Sequence, residues 1–291
     1  MERKTHIDLI GAVALVAVAM NFGLNQVVVK VSNGGFEPIF LAGLRSIGGG
    51  IVLLLWMWAR GISVRLPRAS MVSGVIAGLL FASEFALLFT ALDLTTVSRS
   101  SIIFYSMPVW LALAAHFALP GERLSGPRLI GLALAMAGVF LALADRQSGQ
   151  ASFWGDALSL LAAFCWAGIA LLVRVTPLSK VPAEQQLLWQ LMISAPLLIG
   201  LSLFYGPLIR DLQVIHVAGL IYQIFAVASF GFLAWFWLIK IYPASSVASF
   251  SFLSPVFSVL LGWLLLGEQI ALTIWLALAL VASGLYLINR R

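Results

Sequence analysis

The stretch that decides the fold is residues 70–92, SMVSGVIAGLLFASEFALLFTAL, in which Glu84 is the single charged residue. About 20 consecutive apolar residues are what an α-helix needs to cross the hydrocarbon core of a bilayer. Similar runs fill the chain, because 62% of its 291 residues are hydrophobic, only 10% are charged and the mean hydropathy is +1.06. An ordinary soluble domain carries roughly 25% charged residues. We therefore predict an all-α polytopic membrane protein.

Residue types exclude several classes of function. Cys165 is the only cysteine, so neither an intramolecular disulfide nor a cysteine-rich metal site is expected. The histidines His6, His116 and His216 lack the spacing of a metal motif, and no phosphate-binding ATPase loop occurs. We expect no cofactor, no metal and no enzyme activity. The net charge of +6 fits basic cytoplasmic loops better than it fits nucleic-acid binding.

Ten membrane spans are predicted, joined by loops too short to form a soluble domain. The first apolar run continues to Val29, so we expect it to be retained as a span rather than cleaved as a signal peptide. The predicted spans are about 8–30, 36–58, 70–92, 95–117, 126–144, 153–174, 184–205, 214–237, 243–265 and 270–288.

The basic residues set the expected orientation in the membrane. With both termini in the cytoplasm, twelve basic residues lie on the cytoplasmic side and four on the opposite side, a clear positive-inside bias in a cell (inner or plasma) membrane. The cytoplasmic set is Arg3, Lys4, Arg60, Arg65, Arg68, Arg123, Arg128, Arg174, Lys180, Lys240, Arg290 and Arg291. The opposite set is Lys30, Arg99, Arg146 and Arg210.

The two halves of the chain, residues 1–148 and 149–291, repeat each other. Each half holds five predicted spans, and because five is odd the second half must be inserted upside down. Inverted repeats are a recurrent construction of secondary transporters, with the substrate site near the bilayer midplane. Matching dipeptides recur at offsets of 147 and 146 residues: Pro108-Val109 with Pro255-Val256, and Gly121-Glu122 with Gly267-Glu268.

Each half ends in a motif that resembles the EamA-type unit of the drug/metabolite transporter superfamily. The second copy is one residue shorter between its proline and its Gly-Glu, and lacks the arginine that follows. Within the superfamily, the chain is most similar to the YddG-type exporters of aromatic amino acids. The resemblance implies a ten-helix basket around a central cavity and export of small metabolites without ATP. The motifs are Pro108-Val109, Gly121-Glu122-Arg123-Leu124, Gly131 and Gly138-Val139, then Pro255-Val256-Phe257, Gly267-Glu268 and Gly284.

Two ionisable residues stand out because they lie well inside predicted spans, Glu84 deep in the third and Arg45 within the second. A charge at the bilayer centre costs roughly 3 kcal/mol or more, so such residues are functional candidates. Glu84 is predicted to line the cavity, where its carboxyl group takes up a proton or faces a substrate ammonium. Arg45 is a candidate charge partner for a carboxylate, but a structural role, in which it neutralises Glu84 or extends to the bilayer edge, is favoured.

The first span carries a polar face. Asn21 and Asn25 are four residues apart and therefore lie on the same side of a helix. Asn21, the nearer to mid-membrane, is predicted to line the cavity. The alternative is hydrogen bonding between helices, an ordinary use of asparagine within lipid.

Aromatic residues within the spans indicate the substrate. A ring-lined pocket would stack on flat aromatic or aliphatic side chains. The alternative is that these rings face lipid or belong to aromatic belts at the membrane surfaces. The aromatic members of the predicted cavity are Phe81, Tyr105, Trp166, Tyr222, Trp235 and Phe252.

Pro108 and Pro255 occupy equivalent places in the fourth and ninth predicted spans. Proline inside a helix removes a hydrogen bond and bends the axis, so both are predicted to be kinks or hinges. Glu122 and Glu268 lie at span ends, where we expect them to cap helices or fix loops rather than carry protons across the membrane.

The leading interpretation is a secondary transporter that exports small neutral metabolites, aromatic and large neutral amino acids first, by alternating access of two five-helix units. A multidrug or other small-metabolite exporter of the same superfamily is the alternative, and a channel-like pore is the alternative of another class. Proton coupling and facilitated diffusion fit equally. The expected partners are amino acids and the lipid bilayer, with no nucleic acid, and the chain is expected to be a monomer.

Overall fold

The computed structural model describes residues 7–119, 125–145, 152–242, 250 and 252–289. Predictions that rest on Gly121-Glu122-Arg123-Leu124 lie outside the described residues. The same holds for the basic residues Arg3, Lys4, Arg146, Arg290 and Arg291.

The described ranges are helical and contain no strand, only an isolated bridge between Phe36 and Ile209. A π-helical turn, Gln223–Ser229, separates α9 from α10. The helices are α1 (Leu9–Ser32), α2 (Pro38–Ala59), α3 (Met71–Leu94), α4 (Val97–Phe104), α5 (Met107–Ala118), α6 (Gly126–Ala144), α7 (Phe153–Val175), α8 (Ala183–Ser202), α9 (Val214–Tyr222), α10 (Phe230–Ile241), α11 (Leu253–Leu266) and α12 (Leu272–Asn289).

Seven helical segments in the described ranges are long and apolar enough to cross a membrane, which confirms a multi-pass membrane protein. They coincide with the first six predicted spans and the eighth. The remaining three predicted spans correspond to α8, α11 and α12, which are also helices. Ten crossings therefore stay a prediction.

Polar side chains define where several helices begin. Asp8 accepts a hydrogen bond from the Gly11 amide at 2.8 Å, and Glu37 accepts one from the Phe40 amide at 2.7 Å. Both satisfy amides that lack a partner in the first helical turn. Between these ends the helix surfaces keep large apolar side chains exposed, as at Val72. Such surfaces are expected of a protein whose solvent is lipid.

Glycine allows α6 and α12 to pack backbone against backbone. A Cβ atom at Gly284 would lie 2.5 Å from the Gly131 carbonyl oxygen, and one at Gly138 would lie 2.7 Å from the Ala277 carbonyl oxygen. Residue numbers rise along α6 as they fall along α12, so the two helices are antiparallel. The helices that correspond to the last predicted span of each half, α6 and α12, therefore pack against each other in opposite directions, the relation that inverted repeats require.

The same relation holds for α2 and α8, the second helices of the two halves. Gly43 packs against Ile199, and the Ser194 hydroxyl donates to Ser46 Oγ at 3.1 Å. Further along α2, Gly50 packs against Leu191. This antiparallel seam joins the halves near the middle of the bundle.

At one end of the bundle a buried charge network joins the halves; we name it the Arg99 cluster (Thr95, Arg99, Asp145, Asp156 and Thr273). The fully buried Arg99 donates from Nε and Nη2 to the two oxygens of Asp156, at 3.2 and 2.6 Å. Thr95 also donates to Asp156, at 3.4 Å, and Thr273 donates to Asp145 at 2.8 Å. These contacts connect the start of α4 to the ends of α6, α7 and α12.

Glu268 strengthens the same end of the bundle. Its carboxylate accepts hydrogen bonds from the Val97 and Ser98 amides at 2.6 and 3.0 Å and from the Ser98 hydroxyl at 2.6 Å. The expected capping role of Glu268 is confirmed, with the capped helix, α4, in the other half of the chain.

Candidate functional site

The two charged residues predicted inside spans lie deep in the bundle, on adjacent helices. Arg45 of α2 is 1% exposed and Glu84 of α3 is 4% exposed. Because Arg45 is buried, the alternative that its side chain extends to the bilayer edge is wrong. No ion pair within 4.0 Å joins Arg45 to Glu84, although the structure describes both side chains.

The guanidinium of Arg45 lies against aromatic rings. Its Cζ atom is 3.8 Å from the centroid of the Phe85 ring and 5.3 Å from that of Phe89. A cation over a ring face is attracted by the electron density of the π system, and the attraction is stronger where water is excluded. Phe81 continues this aromatic row, with its ring 4.6 Å from that of Phe85.

A second aromatic group connects the halves. Trp166 of α7 stacks on Phe104 of α4, with ring centroids 5.0 Å apart and planes inclined by 19°, and Tyr105 lies edge-on to Trp166 at 6.0 Å. These side chains belong to the same apolar core as Phe81 and Phe85. The rings contact one another, so a bound substrate requires some of them to separate.

Asn21 links α1 to the π-helical turn. Its Nδ2 donates to the Ala226 carbonyl at 2.7 Å, and the Tyr222 hydroxyl donates to Asn21 Oδ1 at 2.6 Å. The amide therefore bonds between helices, which was the alternative to a cavity role. Tyr105 joins the same region because its hydroxyl donates to the Phe22 carbonyl at 3.2 Å.

Trp235 and Phe252 lie in other parts of the apolar interior. Trp235 packs in a cluster that includes Leu15 and Tyr242. Phe252 packs with the residues between α6 and α12, and its ring is 6.2 Å from that of Tyr286. The structure thus brings together Phe81, Tyr105 and Trp166 from the predicted aromatic set, and Asn21 with Tyr222. It does not place Trp235 or Phe252 in the cluster that holds the first three.

The two prolines are found where helices begin. Pro108 lies in the first turn of α5, after an interruption at Tyr105 and Ser106, and Pro255 lies in the first turn of α11. The Ser106 hydroxyl donates to the Ile103 carbonyl at 2.5 Å and accepts from Trp110 Nε1 at 2.9 Å. The Ile103 carbonyl therefore keeps a hydrogen-bond partner at the break between α4 and α5.

Two features were missed from sequence. The π-helical turn carries neither proline nor glycine, and π-turns are frequent at functional sites. Arg99 was counted only as a basic residue on the non-cytoplasmic side, whereas the structure buries it completely. The pairing of Asp156 with an arginine in the other half had no local signal. Among the described residues, no group of three or more histidine, cysteine or acidic side chains has the arrangement of a metal site.

Comparison with known proteins gives a family and a fold. The sequence pattern of the EamA-like transporter family matches residues 9–144 and, a second time, residues 153–290. A "Probable amino-acid metabolite efflux pump" of Escherichia coli (strain K12) is 30% identical over 288 residues, covering 95% of this chain and 93% of that protein. "Uncharacterized transporter YoaV" of Bacillus subtilis (strain 168) is 24% identical, with 94% of each chain covered.

A solved crystal structure has the same fold, with a TM-score of 0.68, 24% sequence identity and 94% of both chains covered. The two family matches together span nearly the whole chain. The named relatives are transporters rather than enzymes. The chain is a multi-pass membrane protein that belongs to the EamA-like transporter family.

Proposed function

We propose that this protein is a secondary transporter that exports small neutral metabolites, with aromatic and other large neutral amino acids as its substrates. Access alternates as the two inverted five-helix units rock against each other around a site at their interface. Arg45, Glu84, Phe81, Tyr105 and Trp166 contribute to that site. The name of the Escherichia coli relative, an amino-acid metabolite efflux pump, agrees with this substrate class.

The observation that carries the proposal is two buried, oppositely charged groups on adjacent helices, next to an aromatic core to which both halves contribute. The guanidinium of Arg45 lies over the Phe85 ring, and Trp166 of the second half stacks on Phe104 of the first. An amino acid offers a carboxylate, an ammonium group and an apolar side chain, and this arrangement holds a partner for each. Charges deep in a membrane protein mark substrate or ion pathways.

The proposed topology has both termini in the cytoplasm of a cell-membrane protein. Lys30, Arg99 and Arg210, assigned to the opposite side, meet at one end of the bundle. There Lys30 donates to the Leu92 carbonyl at 2.9 Å, and Arg210 pairs with Asp93 at 2.9 Å. The proposed orientation rests on the larger number of basic residues assigned to the cytoplasmic side. A monomer suffices, because the site lies within one chain.

The test is counterflow of radiolabelled phenylalanine, tryptophan, leucine and threonine in liposomes that contain the purified protein, with and without a pH gradient. Saturable counterflow of the large neutral amino acids is expected. Glu84→Gln removes the proton-accepting carboxylate and keeps its shape. If Glu84 couples protons to transport, this variant retains counterflow and loses accumulation driven by the gradient. Asp93→Asn, the same chemical change at the exposed end, is the control and keeps both.

Each of the other possible results of this experiment supports a different function or coupling mechanism. Counterflow that ignores the pH gradient in the wild type indicates facilitated diffusion. Flux that does not saturate and shows no counterflow favours a channel-like pore. If none of the four amino acids moves, the amino-acid proposal is wrong, and a multidrug or other small-metabolite exporter of this family takes its place.

A further inference from the structure

The buried guanidinium of Arg45 has an edge without a hydrogen-bond partner. Its Nε and Nη2 atoms make no hydrogen bond to any residue that the structure describes, although the residue is 1% exposed. Guanidinium hydrogens are strong donors, and leaving them unpaired away from water is costly. A fold retains such a group only if something compensates.

Arg99 shows how this fold satisfies the hydrogen bonds of another buried arginine. It donates from Nε and Nη2 to the two carboxylate oxygens of Asp156. The two atoms that lack partners in Arg45 are thus the same two that form the bidentate bond in Arg99. A planar carboxylate fits this edge, because its two oxygens match the two parallel N–H groups.

The surroundings of Arg45 are an aromatic ring of α3 and the seam between α2 and α8. The Cζ atom of Arg45 lies 3.8 Å from the centroid of the Phe85 ring. The following residue, Ser46, is hydrogen-bonded to Ser194 of α8 at 3.1 Å. Arg45 thus lies one residue from a contact between the two halves, and inverted-repeat transporters bind substrate between their repeats.

We infer that Arg45 binds the carboxylate of the transported substrate in a bidentate manner, so that a free carboxylate is required for recognition. Glu84, buried on the adjacent helix, makes no ion pair with Arg45 within 4.0 Å and so does not occupy this edge. A zwitterion therefore fits better than a dianion, which Glu84 would repel. This inference rests on the proposed function and assigns Arg45 a role beyond neutralising Glu84.

The experiment measures inhibition of phenylalanine counterflow by phenethylamine, phenylalaninamide and phenylpropionate. The first two lack the carboxylate, and the third lacks the ammonium group. In the wild type, the concentration of unlabelled phenylalanine that gives half-maximal inhibition is expected to be at least about tenfold lower than that of phenethylamine. The amine lacks the carboxylate and therefore loses the charge-assisted bidentate contact. Arg45→Gln is expected to abolish this preference. Arg60→Gln, an equal change at the exposed end of α2, is expected to keep it.

Arg45→Lys is the second variant, because it keeps the charge but cannot present two parallel N–H groups. It is expected to raise the half-saturating concentration of phenylalanine about tenfold and to weaken discrimination against phenethylamine. If Arg45→Gln does not fold, the result for Arg45→Lys tests the inference. Unchanged discrimination in the folded variants overturns the inference and leaves the proposed transport of amino acids intact.

A binding measurement separates the two proposals when transport itself is absent. Thermal stabilisation of the purified protein is compared for phenylalanine, phenylpropionate and phenethylamine. If no amino acid is transported, the proposed function fails, yet stabilisation of the wild type by the carboxylates and not of Arg45→Gln still supports the carboxylate site. Equal stabilisation of both proteins, or stabilisation of neither, overturns it.

Discussion

The Arg99 cluster allows a quantitative test of what burial does to an ion pair in this protein. Asp156 pairs with Arg99 with both side chains at most 1% exposed, whereas Asp93 pairs with Arg210 at the same end of the bundle with side chains 26% and 36% exposed. Both pairs are bidentate, with distances between 2.6 and 3.2 Å. Asp156→Asn and Asp93→Asn are therefore the same chemical change at similar geometry in different environments.

The expected effects differ several-fold. Breaking a buried ion pair by removing one partner costs about 3–5 kcal/mol, because it leaves a charge without compensation. Asp145, 3.9 Å from Arg99, recovers part of this, so we expect a loss near the lower end for Asp156→Asn. An exposed pair contributes about 0–1 kcal/mol, so Asp93→Asn is expected to change little.

The assay is unfolding of the purified protein in mixed micelles by increasing fractions of sodium dodecyl sulfate, followed by tryptophan fluorescence. Equal losses of unfolding free energy in the two variants would show that burial does not determine the strength of these pairs. A triple variant, Arg99→Met with Asp156→Leu and Asp145→Asn, removes all three buried charges and is expected to be more stable than Asp156→Asn alone. A triple variant that is less stable would also contradict the reasoning.

Two further predictions concern packing and capping. Gly284→Ala is expected to destabilise the protein by about 1–3 kcal/mol, as overpacking does, because the added Cβ meets the α6 backbone. Gly200→Ala in α8 is the control: its Cβ meets no described atom within 4 Å, so the variant is expected to be neutral or slightly stabilising in the same unfolding assay. If both glycine variants unfold alike, close approach of α6 and α12 does not limit stability. Glu268→Ala removes the acceptor of the Val97 and Ser98 amides and is expected to lower the local stability there by about 1–2 kcal/mol, so that these amides exchange hydrogen faster. The Phe40 amide, which is capped by Glu37, is the reference whose exchange is expected not to change. Unchanged exchange at Val97 and Ser98 would show that the cap contributes nothing.

Sequence reasoning succeeded for features with a strong local signal. Length and hydropathy located seven helical segments that are long and apolar enough to cross a membrane, and Pro108 lies where the fourth predicted span divides into α4 and α5. Gly131, Gly138 and Gly284 belong to the motifs that resemble the EamA-type unit, and the structure gives a physical reason for these glycines. At these positions two helix backbones come so close that no side chain fits.

The same reasoning could not tell which side of each helix faces inward. In a soluble protein the polar face of a helix reveals its orientation. In a membrane the outer face is as apolar as the core, so this signal is lost. Trp235 and Phe252 were grouped with Phe81 and Trp166 by depth alone, and the structure places them in other clusters.

The charges of this chain divide according to whether the fold itself satisfies them. Arg99 and Glu268, near the helix ends, have their hydrogen-bonding groups engaged by Asp156 and by the start of α4. Arg45, in the middle of the bundle, has two donors, Nε and Nη2, that find no partner among the residues the structure describes. Since a buried unpaired charge destabilises a fold, a structural role alone would favour replacing Arg45 by an apolar residue. Its place between Phe85 and the seam with the second half is explained if the missing partner arrives with the substrate. Binding then supplies hydrogen bonds that the empty protein lacks, and because they are formed on the surface where the two halves meet, they can favour one arrangement of the halves over the other.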